Sequence, residues 1–179
     1  MNRSILIIGG ISSGKSTVAK AIQKSIPNCR VISFGGYLQD YSKKRKWKED
    51  RKSLQDLGQR FINENPVDFL ENVVKYNQAN DSEILIFEGV RHKPILNAIS
   101  TNYPALLSIF LDVDVQTRYD RYVARSKSID KLVSWEGFLK ADSNKVEIEI
   151  ESLKSDCSLI LGGESLADNV EKIKESIEL

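Results

Sequence analysis

Short, fully apolar runs alternate along the chain with longer amphipathic stretches. "SILIIGG" (4–10) is apolar and ends in glycine, the pattern of a strand buried on both faces. Residues 15–26 then place Val18, Ala19, Ile22 and Ile26 on one helical face, and Pro27-Asn28 stops the helix. Apolar runs at 30–34, 84–87, 105–113 and 157–161 predict four more strands. Between strands two and three, Leu54, Leu57 and Phe61 share a helical face. A second helix there has Asn65 as N-cap, Pro66 at its first position, and Phe69, Leu70, Val73 and Val74 inward. A short helix from Pro94 carries Ile95, Leu96 and Ile99. Asp114 caps a helix with Val115, Tyr119, Tyr122 and Val123 inward. Residues 134–153 predict one longer helix with Trp135, Leu139, Val146, Ile150 and Leu153 on one side. Its "VEIEIE" also alternates with period two. Ser165 and Asp168 form a capping pair for the last helix, which buries Leu166, Val170, Ile173 and Ile177.

Five such strands separated by helices predict a parallel α/β sheet covered on both faces. Right-handed crossovers bring every strand's C-terminal end to one edge, where ligands bind in such folds. The residues that follow the strands therefore carry the chemistry.

Composition narrows the classes. The 179 residues are 41% apolar and 28% charged, an ordinary balance for one domain with its own core. Lysine and arginine total 26 against 25 acids, which argues against wholesale coating of nucleic acid. Cys29 and Cys157 form no C-x-x-C pair, so two reduced thiols in a cytoplasmic protein are expected. The first apolar run leads at once into glycines and a charged helix, unlike a signal peptide. No apolar run approaches the ~20 residues of a membrane span.

"GGISSGKST" (9–17) matches G-x-x-x-x-G-K-[ST] through Gly9, Gly14, Lys15 and Ser16, after a strand and before a helix. In such a loop the backbone N–H groups of Gly9, Gly10, Ile11, Ser12, Ser13 and Gly14 cradle the phosphates of ATP. The helix N-terminus adds partial positive charge. Lys15 is expected to reach the β- and γ-phosphates, Ser16 to offer its hydroxyl to Mg²⁺, and Thr17 to assist at the helix start. The GTPase base-reading motif N-K-x-D has its nearest match in "NKVE" (144–147), with the wrong acid and inside a predicted helix. "LGGES" (161–165) is not the transport-ATPase signature, and the length argues against an AAA+ module with its helical lid domain.

With those classes set aside, the sequence resembles the nucleoside monophosphate kinase group, together with dephospho-CoA kinases and a family of archaeal kinase-like proteins. The resembling residues are "GGISSGKST", "RKSLQDLGQRF" (51–61), "LIFEGVRH" (85–92), the arginine-bearing helix behind "FLDVD" (110–114), and "SLILGGESL" (158–166). The resemblance covers most of the chain, and the P-loop is its specific part. It implies a three-layer P-loop kinase fold: a five-stranded parallel sheet, a helical acceptor-binding insert and a short lid. As one domain over 1–179, the core would be 1–35, 81–117 and 134–179, the insert 36–80 and the lid 118–133.

The resemblance also implies roles. Glu88 stands where many relatives have aspartate, as a candidate Walker B acid holding Mg²⁺ through water or orienting the acceptor. Arg91 resembles an arginine that grips an acceptor phosphate, and Gly89 would let the backbone turn close to ligand. Arg118, Arg121 and Arg125 share a helical face. They are either a solvated basic face or lid cations on the transferring phosphate, with Arg121 and Arg125 nearer the closing loop. Arg51, and less well Arg60, are candidates for the acceptor phosphate, and Asp40 for the acceptor's hydroxyl or phosphate. Gly163 lies where relatives wrap adenine. The single histidine, His92, has the structural role as its ordinary reading.

Seven of the ten residues in "KKRKWKEDRK" (43–52) are basic, the pattern of a solvated face. Trp47 within the run and Tyr41 just before it keep a single-stranded nucleic acid partner open. The leading expectation is an ATP- and Mg²⁺-dependent transferase acting on a small phosphorylated acceptor, a nucleoside or deoxynucleoside monophosphate, as a cytoplasmic monomer or homodimer. The alternatives are a dephospho-CoA-like or polynucleotide-end kinase and a nucleotide-binding regulatory module without turnover.

Overall fold

The central strand of the sheet is β1 (Arg3–Gly9), and its side chains divide the core in two. The protein is described here by a computed structural model covering residues 3–80, 83–103, 105–125, 134–143, 145–162 and 164–177. β1 is flanked in parallel by β3 (Ile84–Glu88) and β4 (Ala105–Leu111). β2 (Cys29–Ser33) pairs outside β3, and β5 (Leu159–Leu161) outside β4, giving the order β2-β3-β1-β4-β5. Ile5 and Ile7 face α1 (Lys15–Ser25) and α9 (Leu166–Ser176) in one cluster with Val18, Ala19, Ile22 and Ile173. Leu6 and Ile8 face the other side, among residues of α4 (Pro66–Tyr76), α5 (Lys93–Asn102) and α8 (Lys145–Ser152). A strand buried on both faces is thus uniformly apolar, as parallel sheets require.

Three helices lie between β2 and β3: α2 (Phe34–Lys44), α3 (Arg51–Glu64) and α4. The sequence pattern does not predict α2. Gly35 and Gly36 in its first turn disfavour helix, but Ser33 caps it by accepting the Gly36 N–H at 3.1 Å. Asn65 caps α4 through the N–H groups of Val67 and Asp68, with Pro66 at the start, as the sequence predicts. Asp114 likewise accepts from Thr117 N at 2.9 Å and opens α6 (Val115–Arg125). Its apolar residues are only half-buried.

The expected long helix over 134–153 is two helices, α7 (Trp135–Asp142) and α8. The chain leaves α7 at Ser143, so one helical face does not run through both. Phe138 is therefore the buried residue of α7, and Leu139 is exposed. Leu166, expected inside, is also exposed, while Val170 and Ile173 are buried. The last strand is shorter than the expected 157–161: it begins at Leu159, after a 3-10 turn over Lys154–Asp156. Cys29 and Cys157 are free thiols. Among the described residues no helix is long and apolar enough to cross a membrane.

Candidate active site

The loop between β1 and α1 is shaped by glycine. Gly9 has φ +150°, and a Cβ there would lie 2.8 Å from Ser13 Oγ and 2.9 Å from the Leu111 carbonyl. Gly14 has φ +102° at the start of α1. Both positions need a residue without a side chain. The Lys15 ammonium folds back over this loop and donates to the carbonyls of Gly9 and Gly10, each at 2.7 Å. Loss of water around the ammonium lowers its pKa to about 7. The nearby Arg91 pushes the same way, while Glu147 and Glu88 oppose it.

β3 lies directly beside β1, with Ile7 in register with Glu88, so the carboxylate that ends β3 stands next to the loop. The Ser16 hydroxyl donates to Glu88 Oε2 at 3.0 Å, and the Ser33 hydroxyl donates to Oε1 at 2.5 Å. The longer glutamate side chain thus joins the start of α1 to the end of β2. Ser33 was not singled out from sequence. Its one local signal is its place as the last strand residue before Phe34-Gly35-Gly36.

A cavity of about 470 Å³ runs from this loop to the α2–α3 helices. Ile11, Ser12, Gly14, Lys15 and Ser16 of the loop line it, as do Glu88 and Gly89. Arg51, Arg91 and Gln55 also line it, with apolar residues that include Phe34, Leu38, Leu54, Ile62 and Phe69. Arg51 and Arg91 both donate to Oε1 of Glu147. Glu147 is buried and was noticed in the sequence only as part of a failed base-reading motif. The available signal was its position on the same helical face as Ile150, an acid inside an apolar stripe.

The other candidate residues separate. Arg125 lines the cavity, and Arg121 donates to the Ser13 carbonyl at 3.1 Å, beside Gly14. Arg118 lies beneath the loop: it pairs through both Nη atoms with Asp142 and donates from Nε to the Val113 carbonyl. A Cβ on Gly10 would lie 2.8 Å from Arg118 Nη1. Arg118→Ala leaves Asp142 without this partner, and both side chains are largely buried, 13% and 18% exposed. The variant is expected to lose about 3 kcal/mol, a fall of about 6–12 °C in Tm, read by thermal unfolding. Arg118→Lys restores little of this, since lysine lacks the paired donors.

Asp40 does not line the cavity; it turns toward the Tyr76 hydroxyl. Arg60 pairs with Glu64 on the exposed side of α3. His92 lines the cavity, with Nδ1 3.6 Å from Glu149, and burial lowers its pKa against the pull of that carboxylate. Arg45 stacks on the Tyr41 ring at 3.5 Å, so the aromatic just before the basic run already has a cation from its own helix end. Trp47 is 47% exposed. Gly163 and the 126–133 part of the expected lid lie outside the described residues.

Among the described residues, no group of three or more His, Cys, Asp or Glu side chains could hold a metal ion. The Ser16–Glu88 pair nonetheless suits Mg²⁺, which takes one or two protein oxygens and completes its shell with water and phosphates.

A glycine-shaped phosphate loop after the central strand, an acid on the adjacent strand and the β2-β3-β1-β4-β5 sheet together define a P-loop kinase fold. The sequence matches the AAA domain family over residues 5–150, and the chain belongs to that family. The length argument that set AAA modules aside is corrected by this match, which needs no more residues than the chain has. Solved structures agree on the fold. A sugar kinase from Janibacter sp. HTCC2649 aligns with TM-score 0.62 at 11% identity, covering 99% of this chain and 95% of the other. Shikimate kinase from Bacteroides thetaiotaomicron aligns with TM-score 0.59 at 14% identity and 99% coverage of each. Shikimate kinase from Aquifex aeolicus aligns with TM-score 0.60 at 17% identity, covering 98% and 96%. No curated protein sequence matches the chain.

Proposed function

We propose that the protein transfers the γ-phosphate of ATP to a small anionic acceptor, specifically a nucleoside or deoxynucleoside monophosphate. The carrying observation is the single cavity that joins the phosphate loop and Glu88 to Arg51 and Arg91. The resulting division of labour gives ATP the loop end and the acceptor the α2–α3 end. Arg51 and Arg91 suit a phosphate. The apolar wall with the Gln55 amide beside it suits a flat base, and among the described residues the buried Gln55 Nε2 has no hydrogen-bond partner.

Phosphoryl transfer needs positioning and charge neutralisation more than covalent help. Lys15 neutralises charge on the β- and γ-phosphates. Ser16 and Glu88 would hold Mg²⁺, which would supply positive charge against the charge that develops on the phosphates. Arg121 and Arg125 approach the transferring group from α6. Core, insert and lid would divide as the family resemblance implies, with 36–80 as the insert and 118–133 as the lid.

A carboxylate-bearing acceptor is the second reading. It is favoured by the likeness to shikimate kinases, because paired guanidiniums bind carboxylates as well as phosphates. ADP release measured across nucleoside and deoxynucleoside monophosphates, dephospho-CoA, shikimate, sugars and oligonucleotide ends separates these acceptors. Tight ATP binding with no acceptor-dependent turnover would overturn the transferase in favour of a nucleotide-binding module.

A further inference from the structure

Two arginines from separate segments end on one carboxylate oxygen. Arg51, the first residue of α3, donates from Nη2 to Glu147 Oε1 at 3.1 Å. Arg91, just beyond β3, donates from Nη1 to the same oxygen. The Glu147 side chain is 2% exposed, against 28% for Arg51 and 26% for Arg91. Both arginines line the cavity, together with Lys15 and Glu88, and Glu147 does not. The acid therefore lies behind the two cations, not in front of them.

Its footing is in the core. Glu147 belongs to α8, which packs against β1, and Ile150 and Leu153 further along are buried in the core. Arg51, by contrast, is carried by the helices between β2 and β3. Two guanidiniums repel when partly removed from water, so they stay close only with a shared counter-charge. Oε1 of Glu147 accepts from both guanidiniums and so holds them together. The triad keeps one net positive charge, enough to attract an anion. Lys15 also feels Arg91 and Glu147, after the larger effect of its own desolvation, so the triad acts within electrostatic reach of the phosphate loop.

We propose that Glu147 is a positioning residue of the acceptor end: it holds Arg51 and Arg91 as a two-guanidinium clamp for the acceptor's anionic group and ties α3 to the core. The effect on turnover rests on the transferase reading above; anion binding by the clamp does not.

The test titrates inorganic phosphate into the protein saturated with Mg²⁺ and a non-hydrolysable ATP analogue, which occupies the phosphate loop. Wild type is expected to bind phosphate, and Glu147→Gln to bind it about tenfold more weakly, a larger change than in analogue affinity. Glu147→Asp keeps the charge at shorter reach; it is expected to fold and to lose about half of that effect on a logarithmic scale. Failure of the wild-type complex to bind phosphate overturns the proposal. So does equal or tighter phosphate binding by Glu147→Gln, since tighter binding would make the acid a competitor of the ligand. Should Glu147→Gln not fold, wild-type phosphate affinity in Glu147→Asp overturns it too. With an active acceptor, Glu147→Gln raises the acceptor KM by more than it changes the ATP KM. Glu147-dependent phosphate binding without turnover on any acceptor would sink the transferase reading and leave the clamp standing.

Discussion

Lys15→Ala is expected to reduce phosphoryl transfer by about 10³-fold, in the acceptor-dependent ADP-release assay, with the fold unchanged. Lys15 brings a cation to the phosphates at the point where charge develops. In the unliganded protein the same ammonium is held by the Gly9 and Gly10 carbonyls, at 2.7 Å each. The turns of the loop are set by the positive φ of Gly9 and Gly14, not by the lysine, so its shape survives the substitution. The lost activity then reports lost charge stabilisation, not collapse. Turnover that survives the substitution would refute the assignment of catalysis to this loop.

The same lysine gives a pH signature. Desolvation, with Arg91 adding to it, lowers its pKa to about 7 from an ordinary value of 10.5. The unfolded chain therefore binds one more proton than the folded chain between about pH 7 and 10.5, and this group's contribution to stability rises with pH across that window. Ligand works in the opposite sense. Phosphates beside the ammonium favour its charged form, so ATP binding takes up a proton once the free protein has lost it. Affinity for Mg-ATP should fall above about pH 7, by at most about tenfold per unit. Calorimetry around pH 8, in two buffers of different ionisation heat, should show this uptake in wild type and none in Lys15→Ala. An uptake of equal size in both would place the titrating group elsewhere.

Sequence alone revealed what is local. The apolar run of β1, the loop 9–17 and the Asn65-Pro66 helix start each depend on neighbours within a few residues, and each is where the pattern puts it. Glu147 was hidden because its partners are 96 and 56 residues away in the chain, and no local spacing joins them. Ser33 was hidden for the same reason: its bond to Glu88 exists only because β2 and β3 lie side by side. Helix α2 was masked by Gly35-Gly36, whose low helix propensity outweighs, to the eye, the cap at Ser33. In 134–153 a continuous apolar stripe read through Leu139 gave way to a break at Ser143, which turned Phe138 inward. The arginines of α6 share a face as their spacing requires, yet spacing could not tell that Arg118 serves Asp142 while Arg125 reaches the cavity.

Glu88→Gln is expected to lower kcat by about 10²-fold and to raise the Mg²⁺ concentration needed for half-maximal turnover, with Mg²⁺-free ATP binding little changed. Glutamate in place of the aspartate common among similar kinases raised the question of reach. Its carboxylate spans two elements, taking the Ser16 hydroxyl on one oxygen and the Ser33 hydroxyl on the other. Aspartate, one methylene shorter, could not hold both from the same backbone position. Glu88→Asp should therefore lose one of these bonds and retain the charge, with a kcat between wild type and Glu88→Gln. Glutamine keeps the reach but carries no charge, and one end of its amide donates where a carboxylate accepts. It should thus fail at the metal while preserving the shape of the strand end. Comparing the two variants separates charge from reach: a kcat loss confined to Glu88→Asp would make the residue a brace between α1 and β2. Loss in Glu88→Gln that shrinks as Mg²⁺ is raised would identify the metal as what the carboxylate holds. Indifference to both substitutions would remove Glu88 from the mechanism and leave the serine bridges as its whole role.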